Sequence, residues 1–323
     1  MIERTELQHS ARKALGEGST APDAAKSWDL ISEMGWLMMA VPETLGGLGF
    51  GREALGVIHT ELGRALVPGP VIAQMLVIEA LCAAGEFVER DNLLARAMGG
   101  ELMTMSLASG VALTAVPDAD RASHFLIDEI DHIRLVPRAD CTVTPRETWD
   151  KTRRLFDVEV RDEQAGFWIA EGQRAWALHN RLQSQLLFAL AGDSLGGADA
   201  ILNLTIDYLK ARTQFDRPLA MFQALKHRVA DLKTHLVAAE ALFWSRANDK
   251  ATLTEMGALK AHACAVYCEI AEEAIQLHGG IGLTAEHDCH LFLKRAMLNA
   301  ALGGGNDYWE EKAGRQLLEE RAP

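Results

Sequence analysis

Four long segments in the second half of the chain repeat apolar residues at helical spacing, and this feature limits the possible folds more than any other. They span residues 175–211, 222–247, 256–278 and 289–302. Asp216, Arg217 and Pro218 separate the first segment from the second because proline interrupts a helix, and Gly279 and Gly280 end the third. Four long helices with short connections predict a helical bundle.

The first part of the chain predicts a second helical region followed by a small region of strands. Residues 30–38 and 54–66 repeat apolar residues at helical spacing. Residues 124–128, 133–136 and 155–160 are short β-prone runs separated by proline and aspartate clusters, which predicts a small antiparallel β domain. The predicted fold class is mainly α with a β middle domain. We expect an N-terminal helical domain (1–98), a shortened β middle domain (99–170) and a C-terminal four-helix bundle (171–323).

Composition excludes several classes of function. With 323 residues, 49% of them apolar, the chain exceeds the usual size of one compact core. Its 45 acidic and 32 basic residues give a net charge of −13, which disfavours binding to nucleic acid or to an anionic membrane surface. The N-terminus has no apolar core of the kind a signal peptide needs, and no later apolar run approaches the length of a membrane span, so we expect a cytoplasmic protein. The five cysteines include no C-x-x-C pair, and no disulfide framework is predicted.

Two segments of the bundle carry recognisable motifs. Residues 212–223 read RTQFDRPLAMFQ and residues 276–286 read QLHGGIGLTAE. Both resemble the cofactor-contacting segments of the acyl-CoA dehydrogenase flavoproteins, and residues 35–68 resemble the N-terminal helical domain of that family. In the family, an Arg in the first motif and a Gln-x-x-Gly-Gly run in the second reach across a subunit interface to the FAD of a neighbouring subunit. The resemblance therefore implies FAD as the cofactor.

The resemblance also assigns the residues that contact FAD. They are Arg212, Gln214, Phe215, Phe222, Gln276, Leu277, Gly279 and Gly280. A guanidinium group pairs with a pyrophosphate through two parallel hydrogen bonds, and adjacent glycines let backbone N–H groups approach an anion. Both motifs have structural alternatives: Arg212 can pair on the surface with Asp216 or a glutamate, and the two glycines can cap a helix.

The catalytic base of the family has no counterpart in this sequence. Acyl-CoA dehydrogenation removes a proton α to the thioester, and in this family a glutamate accepts it. Its commonest position falls at about Gly303 and its other position near Leu186 or Gln185, so we predict no catalytic residue. The family's Thr and Gln that touch FAD fall near Gly305 and Asp307. Glu310 and Glu311 lie about two helical turns beyond the expected base, where a solvated helix face is the better interpretation.

The flavin cradle of the family's middle domain is also missing. The family has a Thr-Glu…Gly-Ser-Asp segment and a strand with a Trp before a small hydroxyl residue. Residues 102–120 contain no counterpart to either element. About one hairpin of the cradle, with strands of about five to six residues each, is therefore expected to be absent.

No metal site is predicted from the histidines and cysteines. Among His262, Cys264 and Cys268, only the two cysteines share a helix face at i, i+4 spacing, which favours buried packing. His287, Asp288, Cys289 and His290 are contiguous, and such residues spread around a helix or turn instead of converging on one ion.

The resemblance implies a function for the whole chain. The chain is similar to the shortened subunit of heteromeric acyl-CoA dehydrogenases that act on bulky thioesters such as those of steroid side chains. The implied partners are a full-length dehydrogenase subunit, an acyl-CoA substrate and electron-transfer flavoprotein or a similar acceptor. Two alternatives stay open: an active homotetramer with an unrecognised base, and a non-catalytic helical scaffold that has lost FAD.

Overall fold

Helices form the first third of the chain. The computed structural model describes residues 3–18, 20–162, 164–248 and 250–320. The N-terminal helices are α1 (Arg4–Leu15), α2 (Ala24–Glu33), α3 (Arg52–Arg64), α4 (Val71–Ala83) and α5 (Arg90–Met98). Helix α2 begins where the side chain of Asp23 accepts the backbone N–H of Lys26, which satisfies one of the free donors of the first turn. Helix α4 is apolar on nearly every face and is buried among its neighbours.

Seven strands form two small sheets in the middle of the chain. They are β1 (Met103–Met105), β2 (Val116–Pro117), β3 (His124–Asp128), β4 (His132–Pro137), β5 (Cys141–Arg146), β6 (Leu155–Val160) and β7 (Phe167–Glu171). One sheet has the order β1-β3-β4-β7 and the other the order β2-β6-β5. The three predicted strands are confirmed as β3, β4 and β6. The expectation of a purely antiparallel domain is wrong at one pair, because β1 runs parallel to β3. The residues between them supply the crossover that a parallel pair needs.

The C-terminal region contains five helices and a short hairpin. They are α6 (Gly172–Ala211), α7 (Gln223–Ser245), α8 (Leu253–His278), α9 (Cys289–Ala301) and α10 (Asn306–Glu320), with β8 (Thr213–Gln214) and β9 (Arg217–Pro218) between α6 and α7. The four predicted helices are confirmed within three residues at each end. Among the described residues, no helix combines the length and apolar character that crossing a membrane requires.

Helix α6 is the central element of the fold. It packs against α3 on one side and α8 on the other. A Cβ on Gly63 would lie 2.0 Å from the carbonyl oxygen of Asp193, and a Cβ on Gly196 would lie 1.8 Å from that of Thr60. Glycine is therefore required at both positions, because α3 and α6 approach each other backbone to backbone.

A buried polar network joins the middle domain to the bundle. Arg295 Nε donates to Asp150 Oδ2 at 2.7 Å, and Arg153 donates to Asp193 Oδ1 at 2.7 Å. Asn299 donates to the other oxygen of Asp193, also at 2.7 Å. Burial alone raises the pKa of both carboxyl groups, but the two guanidinium groups lower it overall, so the aspartates stay ionised. Two buried positive and two buried negative charges therefore balance across the domain boundary.

Candidate functional site

Helices α6 and α8 end side by side, which brings the two sequence motifs to one end of the bundle. The hydroxyl of Tyr208 donates to the carbonyl of His278 at 3.2 Å, and the two rings stack with centroids 4.4 Å apart. Arg212 lies one helical turn after Tyr208, and its backbone N–H donates to the Tyr208 carbonyl at 2.8 Å. Gly279 follows His278 directly. Residues that are far apart in sequence are thus neighbours at this end.

The hairpin after Arg212 projects an aromatic side chain into solvent. Phe215 and Asp216 both have positive φ, 52° and 60°, which is the backbone of a type I′ turn. This conformation is unusual for a bulky residue and costs roughly 1–3 kcal/mol. Phe215 is 84% exposed, and its ring meets that of Phe222 edge on at 6.1 Å. The guanidinium of Arg217 lies 4.0 Å from the centre of the Phe222 ring.

Arg212 is available to a ligand. It is exposed at the end of α6, and within the described residues it makes no ion pair with Asp216 or with a glutamate. The surface-pair alternative is therefore not realised in this chain. Gln214 is also exposed, and its side-chain amide donates to the carbonyl of Thr213 at 2.9 Å. Both side chains lie on the same hairpin as Phe215.

The two glycines of the second motif have different roles. Gly279 ends α8 with φ 65° and ψ −145°, and its N–H donates to carbonyls of the last helical turn. Gly280 does not have positive φ, is exposed, and would place a Cβ in open space with nothing within 4 Å. The capping alternative therefore applies to Gly279 and leaves Gly280 without a structural reason to be glycine. Gln276 is exposed, whereas Leu277 is 7% exposed and has little side-chain surface left for a ligand.

The two positions at which the family carries its base meet in space, and both are apolar. A Cβ on Gly303 would lie 3.1 Å from Leu190, 3.4 Å from Leu187 and 3.6 Å from Leu186. Trp309 closes the other side, since its Nε1 donates to the Gly303 carbonyl at 2.9 Å. A side chain at Gly303 would therefore press against leucine side chains, and the φ of 65° at this position also favours glycine. The absence of a catalytic base from this chain stays a prediction.

The next residue, Gly304, also has little room for a side chain. A Cβ there would lie 2.9 Å from Nε1 of Trp309. From the middle domain, the carbonyl of Leu107 accepts the Gly303 N–H at 2.8 Å. The glycine loop is therefore enclosed by the bundle on two sides and by the middle domain on a third.

A buried lysine that the sequence reasoning missed holds this glycine loop in place. The amine of Lys260 donates to the carbonyls of Ala300 at 2.7 Å and Gly304 at 2.8 Å. Burial lowers the pKa of this amine. These two hydrogen bonds make Lys260 a cap for the end of α9 and tie the glycine loop to α8. A lysine on the apolar face of α8, next to Leu259 and Cys264, was the available signal.

Glu310 and Glu311, the other glutamates near the expected base position, lie on the surface of the chain. Both are exposed on α10, and Glu311 pairs with Arg315 one turn later. The predicted solvated helix face is confirmed. The buried network of Arg295 was also missed, although a charged residue between Phe292 and Asn299 on an apolar helix face could have indicated it.

A cavity lies between the N-terminal helices and α6, beside the apolar base positions. Its walls include Trp36, Leu76, His59 and Gln185. His59 is buried, and burial lowers its pKa to about 4, so its ring is neutral near pH 7. Nδ1 of His59 has no hydrogen-bond partner among the described residues. Glu79 also lines the cavity and pairs with Arg181. The walls of the cavity are mainly apolar.

Two family models match the chain. The model described as "Acyl-CoA dehydrogenase, N-terminal domain" matches residues 3–101, and "Acyl-CoA dehydrogenase, C-terminal domain" matches residues 187–318. FAD is the cofactor of this family. A protein named acyl-CoA dehydrogenase IpdE2 from Mycobacterium tuberculosis is 34% identical over 281 residues, which cover 85% of this chain and 81% of that protein.

Two solved structures share the fold over nearly the whole chain. A Tcur3481-Tcur3483 steroid ACAD variant has 25% sequence identity and a TM-score of 0.85, with 99% of each chain covered. The ChsE4-ChsE5 complex from Mycobacterium tuberculosis has 21% identity and a TM-score of 0.85, covering 100% of this chain and 99% of that chain. At this identity the second comparison establishes the fold alone.

Proposed function

The chain belongs to the acyl-CoA dehydrogenase family, and we propose that it is a shortened subunit that completes the FAD site of a full-length catalytic partner. The apolar packing at both base positions is the observation that carries this proposal. Leu186, Leu187 and Leu190 surround Gly303, so the chain presents no carboxylate at this point, and a longer side chain there would have to displace leucine side chains. Of the residues expected to contact a neighbour's cofactor, Arg212, Gln214, Phe215, Gln276, Gly279 and Gly280 are exposed, whereas Phe222 is half-buried and Leu277 is buried.

The exposed end of the bundle fits the pyrophosphate and adenosine part of a neighbour's FAD. Arg212 supplies a planar pair of charge-assisted donors. Gly280 leaves its backbone open to close approach, and Gln276 is exposed beside it. Phe215 and Phe222 supply apolar surface on the adjoining hairpin. The strained turn that exposes Phe215 is explained if its ring is buried against a partner, because burial of a large side chain returns about 1.5–3 kcal/mol.

The division of labour between the two subunits follows from these residues. When bound, FAD accepts the hydride that leaves the β carbon of the acyl-CoA thioester. In this chain, Arg212 and Gly280 bind and orient the cofactor of the partner, while the partner supplies the base that removes the α proton. The absent cradle in residues 102–120 supports the same division, since the partner's own middle domain would hold the flavin ring.

The substrate class and electron acceptor are part of the proposal. The Tcur3481-Tcur3483 steroid ACAD among the similar structures supports a bulky acyl-CoA thioester and a heteromeric assembly. The cavity beside Gln185 and Leu76 offers apolar walls for such an acyl group. We infer electron-transfer flavoprotein or a similar carrier as the acceptor. The cytoplasmic location stays a prediction.

Two alternatives make different predictions about the purified chain. An active homotetramer would bind FAD and reduce it with acyl-CoA without any partner. A scaffold that has lost FAD would be colourless alone and in every assembly. The exposed Arg212 and Gly280 favour retention of a cofactor contact over the scaffold.

Co-expression with full-length dehydrogenases tests the proposal. Full-length acyl-CoA dehydrogenase chains serve as the candidate partners. Size-exclusion chromatography with absorbance at the flavin band gives the mass and the flavin-to-protein ratio of each assembly. We expect a mixed assembly that retains FAD, whereas the chain alone retains little. A homomeric, fully flavinated chain would contradict the proposal, and a flavin-free mixed assembly would favour the scaffold.

A further inference from the structure

Three side chains that can ligate a metal converge between the end of α8 and the start of α9. They are His278, His287 and Cys289, and one ligand atom from each lies within 4.8 Å of the others. The sequence predicted no metal site at His287 and Cys289, because the side chains of neighbouring residues point in different directions. In the folded chain, His278 at the end of α8 lies beside both of them.

The His278 ring is oriented as a metal ligand requires. Its Nδ1 donates to the carbonyl of Ala274 at 2.8 Å, which places the proton on Nδ1 and the lone pair on Nε2. Nε2 is buried and has no partner among the described residues, and the residue is 3% exposed. A hydrogen bond from one ring nitrogen to a backbone carbonyl is the usual support of a metal-ligating histidine. An unpartnered buried nitrogen is otherwise costly.

The other two side chains complete a nitrogen and sulfur donor set. Cys289 is fully buried and not part of a disulfide, and its Sγ lies 3.8 Å from Nδ1 of His278. His287 is partly exposed and its ring is tilted against that of His278, with centroids 4.5 Å apart, which leaves a path from solvent to the cluster. Nδ1 of His287 accepts the Cys289 backbone N–H at 3.2 Å, so a cation would take this lone pair in exchange for that hydrogen bond. Two imidazoles and a thiol are donors that zinc prefers.

We propose that His278, His287 and Cys289 form a binding site for a divalent cation of the zinc class, with water or a group from another subunit as the fourth ligand. Binding replaces the proton of the Cys289 thiol by the cation, and the proton leaves to solvent. The cation would connect α8 to α9 and fix the intervening segment, which carries Gly280.

Metal binding by the full chain tests this proposal independently of any flavin. The protein, stripped with a chelator, is titrated with Zn²⁺ alone, and bound metal is measured by equilibrium dialysis with elemental analysis. We expect one ion per chain. Titration with Co²⁺ should give the near-ultraviolet absorption of a cobalt–thiolate bond, which identifies Cys289 as a ligand. Wild-type protein that retains no ion after dialysis would overturn the proposal.

Variants distinguish this cluster from adventitious binding. His287→Gln changes a partly exposed residue and should weaken zinc binding by at least about 10- to 100-fold without unfolding the chain. Cys289→Ala should remove the cobalt–thiolate band. His290→Gln and Cys268→Ala, which alter a histidine and a cysteine outside the cluster, serve as matched controls and should bind zinc as wild type does. Equal affinity in wild type and His287→Gln would show binding elsewhere and overturn the assignment.

Discussion

Replacement of Gly280 by valine separates a cofactor role from a structural role. A Cβ at this position meets nothing within 4 Å, and the backbone does not have positive φ. The substitution should therefore change the free energy of unfolding by no more than about 0.5 kcal/mol, as for other open surface sites. If the Gly280 backbone approaches a pyrophosphate, the valine side chain occupies the space that the ligand needs.

The magnitude follows from the contact that would be lost. A hydrogen bond to a charged group contributes about 1.5–3 kcal/mol, which corresponds to roughly a ten- to hundredfold loss of FAD affinity. The assay is FAD titration of the stripped mixed assembly, followed by flavin fluorescence. Thermal unfolding of the isolated variant chain, compared with the isolated wild-type chain, supplies the stability measurement.

A matched control uses the same substitution elsewhere. Gly18 is also exposed, has no neighbour within 4 Å of a Cβ and lies outside both motifs. Gly18→Val should alter neither stability nor FAD affinity. Wild-type FAD affinity in Gly280→Val would refute the reasoning and would leave the glycine pair with its capping role alone.

Three further predictions follow from the structure. Arg212→Ala should lower FAD retention of the mixed assembly by about tenfold or more through loss of a charge-assisted contact. Arg295→Met leaves buried Asp150 and Asp193 short of a partner and should destabilise the fold by about 3–5 kcal/mol in denaturant titration. Burial lowers the pKa of His59 from 6.5 to about 4 in the folded wild type. The free energy of unfolding should therefore fall by about 3 kcal/mol as the pH falls from 6.5 to 4, because over this range the unfolded state takes up the proton and the folded state largely does not.

Each of these predictions has a specific control. For Arg212, the control is Arg217→Ala, which removes an equally exposed cation that stacks on Phe222; equal loss of FAD in both variants would contradict a specific role. For Arg295, unfolding midpoints that match the wild type would show that the network is not stabilising. For His59, His59→Gln should flatten the stability difference between pH 6.5 and 4, and an unchanged pH profile would contradict the buried neutral ring.

The long helices could be predicted from sequence because their apolar faces repeat over many turns. Residues 175–211 predicted α6, which begins only three residues earlier, at Gly172. The parallel strand β1 could not be predicted, since Met103–Met105 is too short for a periodic signal and its partner is distant in sequence. The turn at Phe215 and Asp216 could not be predicted either, because a type I′ turn usually has the sequence Asn-Gly or Asp-Gly and here has Phe-Asp.

The candidate site was predictable as motifs but not as geometry. The two motifs indicated which residues face the cofactor, yet only the contact between Tyr208 and His278 brings them together. The proximity of His278 to Cys289 depends on how the chain returns after α8, which no local pattern records. Lys260 and Arg295 pose a different difficulty. Each is a charged residue on an apolar helix face, and the sequence does not show the buried hydrogen-bond partners that account for its position.

Anaerobic mixing of the isolated chain, supplied with FAD, with a range of acyl-CoA thioesters tests the central claim most directly. General-base catalysis contributes about 10²- to 10⁴-fold, so a chain with Gly303 and Leu186 at the base positions should reduce flavin far more slowly than the mixed assembly. We expect no rapid bleaching of the flavin band by the chain alone and rapid bleaching by the assembly. Rapid bleaching by the isolated chain that disappears in Glu310→Gln would contradict the account, because it would identify a base within this chain.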